Sequence, residues 1–444
     1  MKKLNLLMCF ILLSTFIFTG CTDDSREIDD QVYTLVIGVD KGVNNKARVT
    51  VQFPVYKSGG GDSGGGTPKK SSGGGAEGSK EDTGEVSGTI VETVEAPTLF
   101  EAINLLNTST SRRISLVHVK EIVFSEKLAK EGIGRYLEPI VRFRETRRTM
   151  QVVICRGNTE DFIKENKTLV GESLSKAMEL MLSESSNTGF FPNVTFHNFY
   201  SDTVNPYSMP YAVYAGLNDF SKLPELGGKE EAQLKTEYDV PPGEIPRKGD
   251  LKREFFGTAV FDGDKMVGSL TSYETRYFLM VKGDFKRGFI TVPDKGNPDL
   301  GILLDARLGR KPQIKAYFEN GKPVINVKIN IECDLGGIQG RENYEKLDKV
   351  SDLNSYIGKR IQNNIIKTIE KTQKEWGTDI FGFGGYIARN FNTVSEFEKY
   401  NWLSHYRDAK VNVDVKVNVR RTGRVMSASP VRSTKGTIES SKER

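Results

Sequence analysis

The residue types that could carry catalysis are few in this chain and lie far apart. The three histidines, His118, His197 and His405, are in separate regions, and none of them has the spacing of a metal-ligand set. The sequence contains no His-Glu-x-x-His motif and no phosphate-binding loop. Carboxylates are abundant, and their spacing neither supports nor excludes an acid–base pair. We therefore expect a protein that is not an enzyme and that binds no cofactor or metal.

The four cysteines divide into two groups by position. Cys9 lies inside an apolar run at the N-terminus, and Cys21 directly follows that run. Cys155 and Cys333 each end a β-like run, and their wide separation does not suggest a disulfide framework. We expect both of these thiols to be buried and free, with a long-range bridge between them as the alternative.

The N-terminus has the parts of a secretory signal. Two lysines open the chain, residues 6–18 form an apolar stretch, and Phe18-Thr19-Gly20 precedes Cys21. The apolar stretch is shorter than the roughly 20 residues that a bilayer-spanning helix needs. Residues 18–21 resemble the lipobox of bacterial lipoproteins, with Phe18 where leucine is usual. We predict a signal peptide at 1–20 and a lipid-bearing Cys21, carrying a diacylglyceryl group and acyl chains such as palmitate. The alternative is an ordinary secretory signal with a chance cysteine.

Charge is mixed along the whole chain. The 63 basic and 58 acidic residues leave a formal net charge of +5. Proteins that bind nucleic acid normally show a dense basic face, so no nucleic-acid partner is expected. One local cluster, Arg142, Arg144, Arg147 and Arg148, could bind a phosphate or a lipid head group. The alternative for this cluster is a solvated surface.

The first region of the mature chain, residues 21–185, alternates strand and helix patterns. Apolar runs at 32–39 and 49–55 predict two neighbouring strands. Residues 57–88 hold three blocks of glycine and almost no apolar side chains, which predicts a disordered insertion. We therefore predict an N-terminal α/β domain that carries a glycine-rich loop.

The next region, residues 186–252, has fewer regular patterns and several prolines, which predicts a small middle domain or an extended connection. It is rich in aromatic residues. These side chains either line a groove for a partner or pin the segment onto a neighbouring core, and we favour the core. The aromatic residues are Phe190, Phe191, Phe196, Phe199, Tyr200, Tyr207, Tyr211 and Tyr214.

Residues 253–424 predict a C-terminal α+β domain. Strand patterns occupy 255–261, 263–270 and 275–282, and residues 411–419 alternate valine with polar residues as a strand buried on one face does. A long helix begins at Ser351 or Asp352, and its apolar side is better explained by packing on this sheet than by lying on a membrane. The polar residues 425–444 predict a disordered tail. The chain is thus predicted to be an α+β protein with three domains, mixed sheets and packed helices, and with a largely antiparallel C-terminal sheet covered by a long helix.

Several stretches together resemble one known family. Residues 21–30 (CTDDSREIDD) lead into VIGVD at 36–40, and residues 257–276 contain GTAVF, DKMVGSL and ETR. The most specific stretch is WGTDIFGFG at 376–384, followed by Trp402 and the valine-alternating strand. These segments are similar to the C-subunit lipoproteins of spore germinant receptors, the GerC family, over nearly the whole mature chain. Thr22, where an aromatic residue is common, and the glycine insertion depart from the family pattern.

The resemblance implies a lipid-anchored membrane protein on the outer face of the spore inner membrane. Such a subunit works with the integral membrane A and B subunits of a germinant receptor, so that nutrients trigger germination. The resemblance also implies three domains of mixed α and β structure and no catalytic activity. One functional residue carries over, Cys21, for lipid attachment. In Phe381-Gly382-Phe383-Gly384, the glycines permit a tight backbone path after the long helix and the phenylalanines fill the core.

Two other function classes predict different features for this chain. A solute-binding lipoprotein of a transporter would have two lobes of repeated βαβ units around a cleft, and the alternation at 411–419 argues against parallel strands buried on both faces. A cell-wall enzyme would cleave peptidoglycan. The receptor subunit is the favoured function.

Overall fold

The computed structural model describes residues 30–54, 88–168, 173–223, 233–237, 239–340, 342–344, 346–422, 431–434 and 436–438. The predicted signal peptide at 1–20 and the predicted lipid site Cys21 lie outside the described residues. Outside them too are nearly all of the glycine-rich insertion at 57–88 and most of the tail at 425–444. Within that tail, for which the sequence predicts disorder, Val431–Ser433 and Gly436–Ile438 pair as a short antiparallel hairpin.

The first sheet is large and mixed. The strands of this half of the chain are β1 (Gln31–Tyr33), β2 (Val36–Lys41), β3 (Ala47–Pro54), β4 (Thr89–Ala96), β5 (Arg113–Ser115), β6 (Glu121–Ser125), β7 (Gln151–Cys155), β8 (Tyr211–Leu217), β9 (Arg253–Asp262) and β10 (Lys265–Leu270). β1 and β5 form a parallel pair of their own, and the other eight join in the order β10-β9-β8-β7-β6-β2-β3-β4. The central strands β2, β6, β7 and β8 are parallel, and the flanking strands are antiparallel. The predicted neighbouring strands at 32–39 and 49–55 pair as β2 and β3.

Helices cover both faces of this sheet. They are α1 (Leu99–Leu106), α2 (Glu126–Glu131), α3 (Gly134–Arg142), α4 (Thr159–Lys164), α5 (Leu174–Ser183), α6 (Ser185–Thr188) and α7 (Phe196–Val204). The side chains of Thr98, Asn158, Ser173 and Thr195 each accept a hydrogen bond from a backbone N–H of the first helical turn, which fixes four of these helix starts. One face of the sheet packs on α4 and α5, and the other packs on α2 and α3.

Residues 186–252 do not form a small middle domain, which is one of the two alternatives predicted from the sequence. β8 lies within the first sheet between β7 and β9. Five members of the aromatic group, Phe191, Phe196, Phe199, Tyr211 and Tyr214, are buried, which confirms the core interpretation. β9 and β10, which follow residue 252, complete the same sheet, so the two sheets do not separate at the predicted boundary. Strand pairing is a contact between residues distant in sequence, and the local pattern did not reveal it.

The second sheet has five strands. They are β11 (Arg287–Pro293), β12 (Gly301–Leu308), β13 (Gln313–Glu319), β14 (Lys322–Ile338) and β15 (Lys410–Arg421). The long strand β14 pairs antiparallel with β12 and β13 and parallel with β15. The C-terminal sheet is therefore largely antiparallel, as predicted. Along β15, Val413, Val415 and Val419 are buried and Val417 is half-buried, while the polar residues between them are exposed, which confirms burial of one face.

The helices of this half include the predicted long helix. They are α8 (Ser272–Lys282), α9 (Leu347–Lys371), α10 (Gly384–Ile387), α11 (Val394–Tyr400) and α12 (Trp402–His405), and a π-helical turn at Thr372–Trp376 extends α9. The buried side of α9 consists of Leu353, Ile357, Ile361, Ile365 and Ile369. This side packs on β15, where the backbone N–H of Val419 donates to Asn354 Oδ1 at 2.9 Å. Packing of the long helix on the sheet is confirmed.

The prediction of a strand at 275–282 is wrong, because these residues belong to α8. A capping box starts this helix: the Thr271 side chain accepts from Glu274 N–H, and the Glu274 side chain accepts from Thr271 N–H. Residues 275–281 are all buried, so burial on every side gives this mostly apolar segment no helical periodicity. A short apolar run of this kind does not distinguish a buried helix from a buried strand.

One continuous core joins the two sheets through α8. The molecule is thus an α+β protein, an eight-stranded and a five-stranded sheet joined at a central helix, and it lacks two similar lobes in the described part of the chain. Among the described residues, no helix is both long enough and apolar enough to cross a bilayer.

Candidate functional site

The histidines and cysteines singled out in the sequence do not form a reactive centre. His118 and His197 are exposed and His405 is half-buried, and the described residues hold no group of three His, Cys, Asp or Glu side chains that could bind a metal. Cys155 and Cys333 are buried and free, as predicted. Burial raises the pKa of the Cys333 thiol to about 12 and that of Cys155 well above its usual value, so neither thiol is a ready nucleophile.

The structure instead brings together two of the sequence stretches that carry the family resemblance, residues 257–276 and 376–384. Trp376, at the end of the π-helical turn, lies directly on Gly268 of β10. A Cβ atom at Gly268 would be 2.4 Å from the indole ring, so only glycine leaves room for this contact. Beside it, Lys371 Nζ makes an ion pair of 2.8 Å with Glu274 and lies 5.5 Å from the centre of the Trp376 ring. The first sheet, α8 and α9 therefore meet at one point.

Each residue of the Glu274-Thr275-Arg276 stretch joins α8 to a different element. Glu274 caps α8 and pairs with Lys371 of α9. The Thr275 hydroxyl hydrogen-bonds the Thr258 hydroxyl of β9 at 2.8 Å. Arg276, buried to 2% exposure, donates to the carbonyl oxygens of Thr188 and Phe289, and its guanidinium lies 4.3 Å from the centre of the Phe190 ring. We call this set of contacts around α8 the junction.

The second stretch, WGTDIFGFG, has a buried carboxylate at its centre. Asp379 Oδ2 accepts hydrogen bonds from Trp402 Nε1 at 2.8 Å and from the Gly384 N–H at 2.9 Å, and Oδ1 accepts from the Gly382 N–H at 3.0 Å. The Asp379 carbonyl accepts from the Met209 N–H, which ties the turn to the start of β8. Burial raises the pKa of Asp379, and the bonds from Trp402 and Gly384 partly offset that rise.

The tight turn at 381–384 explains its glycines and phenylalanines. Gly382 has a φ of +76°, and a Cβ at Gly384 would be 2.3 Å from the Tyr207 carbonyl oxygen. The Phe381 and Phe383 rings stack at 5.1 Å, and Phe381 meets the edge of Phe278 from α8 at 5.3 Å. The structural role predicted for this turn agrees with these contacts. The turn thus packs the end of the long helix against the junction.

A small open cleft of about 220 Å³ adjoins the junction between α8 and α9. The Tyr277 hydroxyl donates to Glu237 at 2.9 Å and accepts from Asn364 at 2.8 Å along this cleft. Burial raises the pKa of Tyr277, and the neighbouring Glu237 adds to the shift, so the phenol stays neutral near pH 7. The cleft offers polar contacts to a partner.

Sequence reasoning missed a buried ion pair in the first sheet. Arg253 donates to Glu121 at 2.7 Å, and the two side chains are 4% and 0% exposed. The guanidinium also lies 4.3 Å from the centre of the Phe162 ring and hydrogen-bonds Asn166. A charged residue at the start of an otherwise apolar strand is a weak signal, because such residues usually lie in solvent.

Two family models match the chain. The one described as "Spore germination protein N-terminal domain" matches residues 24–217, and the one described as "Spore germination B3/ GerAC like, C-terminal" matches residues 256–423. The two models together span most of the chain. Their boundary leaves 218–255 unmatched, and the second match begins inside β9.

Individual proteins with similar sequences carry consistent descriptions. "Spore germination protein KC" of Bacillus subtilis (strain 168) is 23% identical over 437 residues, which cover 95% of this chain and 97% of that protein. "Spore germination protein B3" of the same organism is 24% identical over 311 residues, 69% of this chain and 74% of its own length. Among solved structures, the "Crystal Structure of the GerBC protein" is similar at 16% identity with a TM-score of 0.49, over 86% of this chain and 96% of that one.

Proposed function

The chain belongs to the GerAC-like family of spore germination proteins, and we propose that it is the lipid-anchored C subunit of a nutrient germinant receptor. The observation that carries this proposal is the match of two family models at 24–217 and 256–423, which leaves little of the mature chain unaccounted for. Its relatives are described as spore germination proteins, which supports a role in spore germination. The anchor, the partners and the location are the parts we propose.

The junction supports a role in protein–protein contact. One hydrophobic core connects both sheets through α8. A partner that binds one sheet therefore also fixes the position of the other sheet, because no flexible linker separates them. Arg276 contacts Thr188, 88 residues away in sequence, and Glu274 pairs with Lys371, 97 residues away, and these contacts fix the geometry. We propose that this rigid body presents a fixed surface to the integral membrane A and B subunits, on the outer face of the spore inner membrane.

The proposed lipid site is tested by changing Cys21 to alanine in the full-length gene. We expect the protein to be lost from spore membranes washed in high salt, which removes electrostatic binding, because the acyl chains on Cys21 are its proposed anchor. Nutrient-triggered germination, followed as the fall in spore absorbance, should fall with it. A matched control changes Cys9 to alanine, which removes a cysteine from the leader and leaves residues 18–21 intact. Membrane retention unchanged by Cys21→Ala would refute the anchor.

The receptor role itself is tested by deleting the gene. A strain without the protein should fail to germinate with at least one nutrient while still germinating through a nutrient-independent trigger. Normal responses to every nutrient would remove the proposed role.

We further propose that the chain has no catalytic activity. The purified mature protein should leave peptidoglycan uncleaved in a dye-release assay, with lysozyme as the positive control. Robust turnover, lost on mutation of a carboxylate of this chain, would contradict a purely receptor role.

A further inference from the structure

The central parallel strands of the first sheet all begin at the same end of the sheet. We call the border formed by their N-terminal ends the edge. β2, β6, β7 and β8 run in the same direction, so the segments that precede them, around residues 31–35, 116–120, 147–150 and 205–210, lie along this edge. β5 joins the same edge through its parallel pairing with β1. Ligand sites in parallel sheets usually occupy the opposite, carboxyl edge. This edge is the amino-terminal one, where such ligand sites are not usual.

Exposed basic side chains collect along this edge, and we call them the basic edge: Arg112, Arg113, His118, Arg147, Arg148 and His197. Several contacts place them together. Gln31 pairs with Arg113 across β1 and β5, and the Tyr33 ring meets the His118 ring at 4.7 Å. His118 and Arg147 line one open cleft of about 280 Å³. The backbone N–H of His197 donates to the backbone carbonyl oxygen of Arg148 at 2.9 Å.

The four arginines of the basic edge make no ion pair with an acidic residue in the part of the chain that the structure describes, whereas nearby Lys120 pairs with Glu179 and Arg142 pairs with Glu138. Glu179 is the acidic residue that lines the cleft, and its carboxylate is already bound by Lys120 at 2.5 Å. The edge consequently presents unpaired positive charge to solvent.

The N-terminal chain enters the fold at this same edge. Nine peptide bonds separate Cys21 from Asp30, and β1 begins one residue later. An extended chain spans at most about 3.6 Å per residue, so over these ten residues β1 lies within about 36 Å of Cys21. A lipid on Cys21 would keep the basic edge within reach of the bilayer. Anionic head groups attract basic residues that come within a Debye length, about 8 Å at physiological salt.

We propose that the basic edge rests on the membrane and binds the phosphate head groups of anionic phospholipids. The orientation argument rests on the proposed lipid anchor, whereas the charge argument stands without it. The lipid supplies attachment, and the arginines set which edge of the protein faces the bilayer.

The test uses the mature chain, residues 21–444, with Cys21→Ser so that no lipid contributes. Co-sedimentation is measured with vesicles of phosphatidylglycerol and phosphatidylcholine, and with phosphatidylcholine alone. We expect binding to the anionic vesicles only, weakened by added salt. Changing Arg112, Arg113, Arg147 and Arg148 to glutamine should reduce the partition coefficient about fivefold per arginine, on the order of several hundredfold together.

A matched control changes four exposed lysines of the second sheet, Lys315, Lys328, Lys410 and Lys416, to glutamine. This variant has the same net charge as the arginine variant and should keep binding to anionic vesicles. Equal losses in the two variants, or no binding by the parent chain at low salt, would overturn the proposal. Thermal unfolding of each variant checks that the fold is kept.

The outcomes also separate this proposal from the anchor. If Cys21→Ala leaves membrane retention intact while the arginine variant loses vesicle binding, the anchor fails and the basic edge stands. If the unlipidated parent does not bind vesicles, yet the arginine changes abolish germination in the anchored protein, the lipid proposal is overturned in favour of an acidic protein surface.

Discussion

The indole Nε1 of Trp402 donates a 2.8 Å hydrogen bond to Oδ2 of Asp379, and both side chains are almost fully buried. The bond connects the segment after α11 to the turn that ends the long helix. Because Asp379 has no access to water, each donor to its carboxylate offsets part of the cost of burying it. The two residues therefore hold the C-terminal elements to the junction.

The first prediction concerns this bond. Trp402→Phe keeps an aromatic ring but removes the donor, and we expect the free energy of unfolding to fall by about 2 kcal/mol or more. Urea denaturation followed by circular dichroism measures the change. Trp376→Phe is the control, because Trp376 is half-buried and contributes packing on Gly268. If both variants lose the same free energy of unfolding, the hydrogen bond to Asp379 does not stabilise the fold beyond ordinary packing.

The second prediction uses two adjacent glycines. Gly384→Ala places a Cβ 2.3 Å from the Tyr207 carbonyl oxygen and 2.4 Å from Trp402, so the backbone must shift and we expect a loss of about 3 kcal/mol. At Gly385 a Cβ meets nothing within 4 Å, and Gly385→Ala should be neutral or slightly stabilising. Thermal unfolding compares the pair. Similar melting temperatures for both variants would contradict the close approach at Gly384.

A third prediction concerns the buried pair of Glu121 and Arg253. Glu121→Gln leaves the guanidinium buried without a counter-charge, and we expect a loss of about 3 kcal/mol. Glu138→Gln breaks the exposed pair with Arg142 and should change stability by less than about 0.5 kcal/mol. Chemical denaturation of both variants checks the difference.

The same pair permits a sharper test. Replacing both partners, with Glu121→Leu and Arg253→Met, removes the buried charges together and should cost less than the sum of the two single changes. Strict additivity in this double-mutant cycle would show that the two charges do not interact.

The fourth prediction is a pH dependence at Glu95. Its carboxylate accepts the backbone N–H groups of Val43, Asn44 and Asn45, and the bonds from Val43 and Asn44 are the main reason that its pKa falls from 4.5 to about 2. A carboxylate with a lowered pKa stabilises the folded state fully above pH 4.5, and this contribution disappears as the pH falls towards 2.

Stability measured between pH 6 and pH 2 tests this effect. Wild type should lose more stability over that range than Glu95→Gln, which has no carboxylate to protonate. Glu92→Gln, on the same strand, is the control and should follow wild type. Parallel pH profiles for wild type and Glu95→Gln would contradict the prediction.

Some of this protein was determined by its sequence alone. The apolar side of α9 and the alternation along β15 are local patterns, because one-sided burial depends on residues a few positions apart. The aromatic group at 190–214 was assigned to the core for a similar reason: side chains that large and apolar are costly to leave in water.

Tertiary structure decided the rest, because those features depend on contacts between distant residues. β9 and β10 join the first sheet, and residues 275–281 form a helix, since pairing partners and all-round burial leave no periodic signal in sequence. Residue spacing likewise does not predict the contact of Gly268 with Trp376 or that of Arg276 with Thr188. The sequence identified the segments that carry the family pattern, and only the fold showed that they pack against each other.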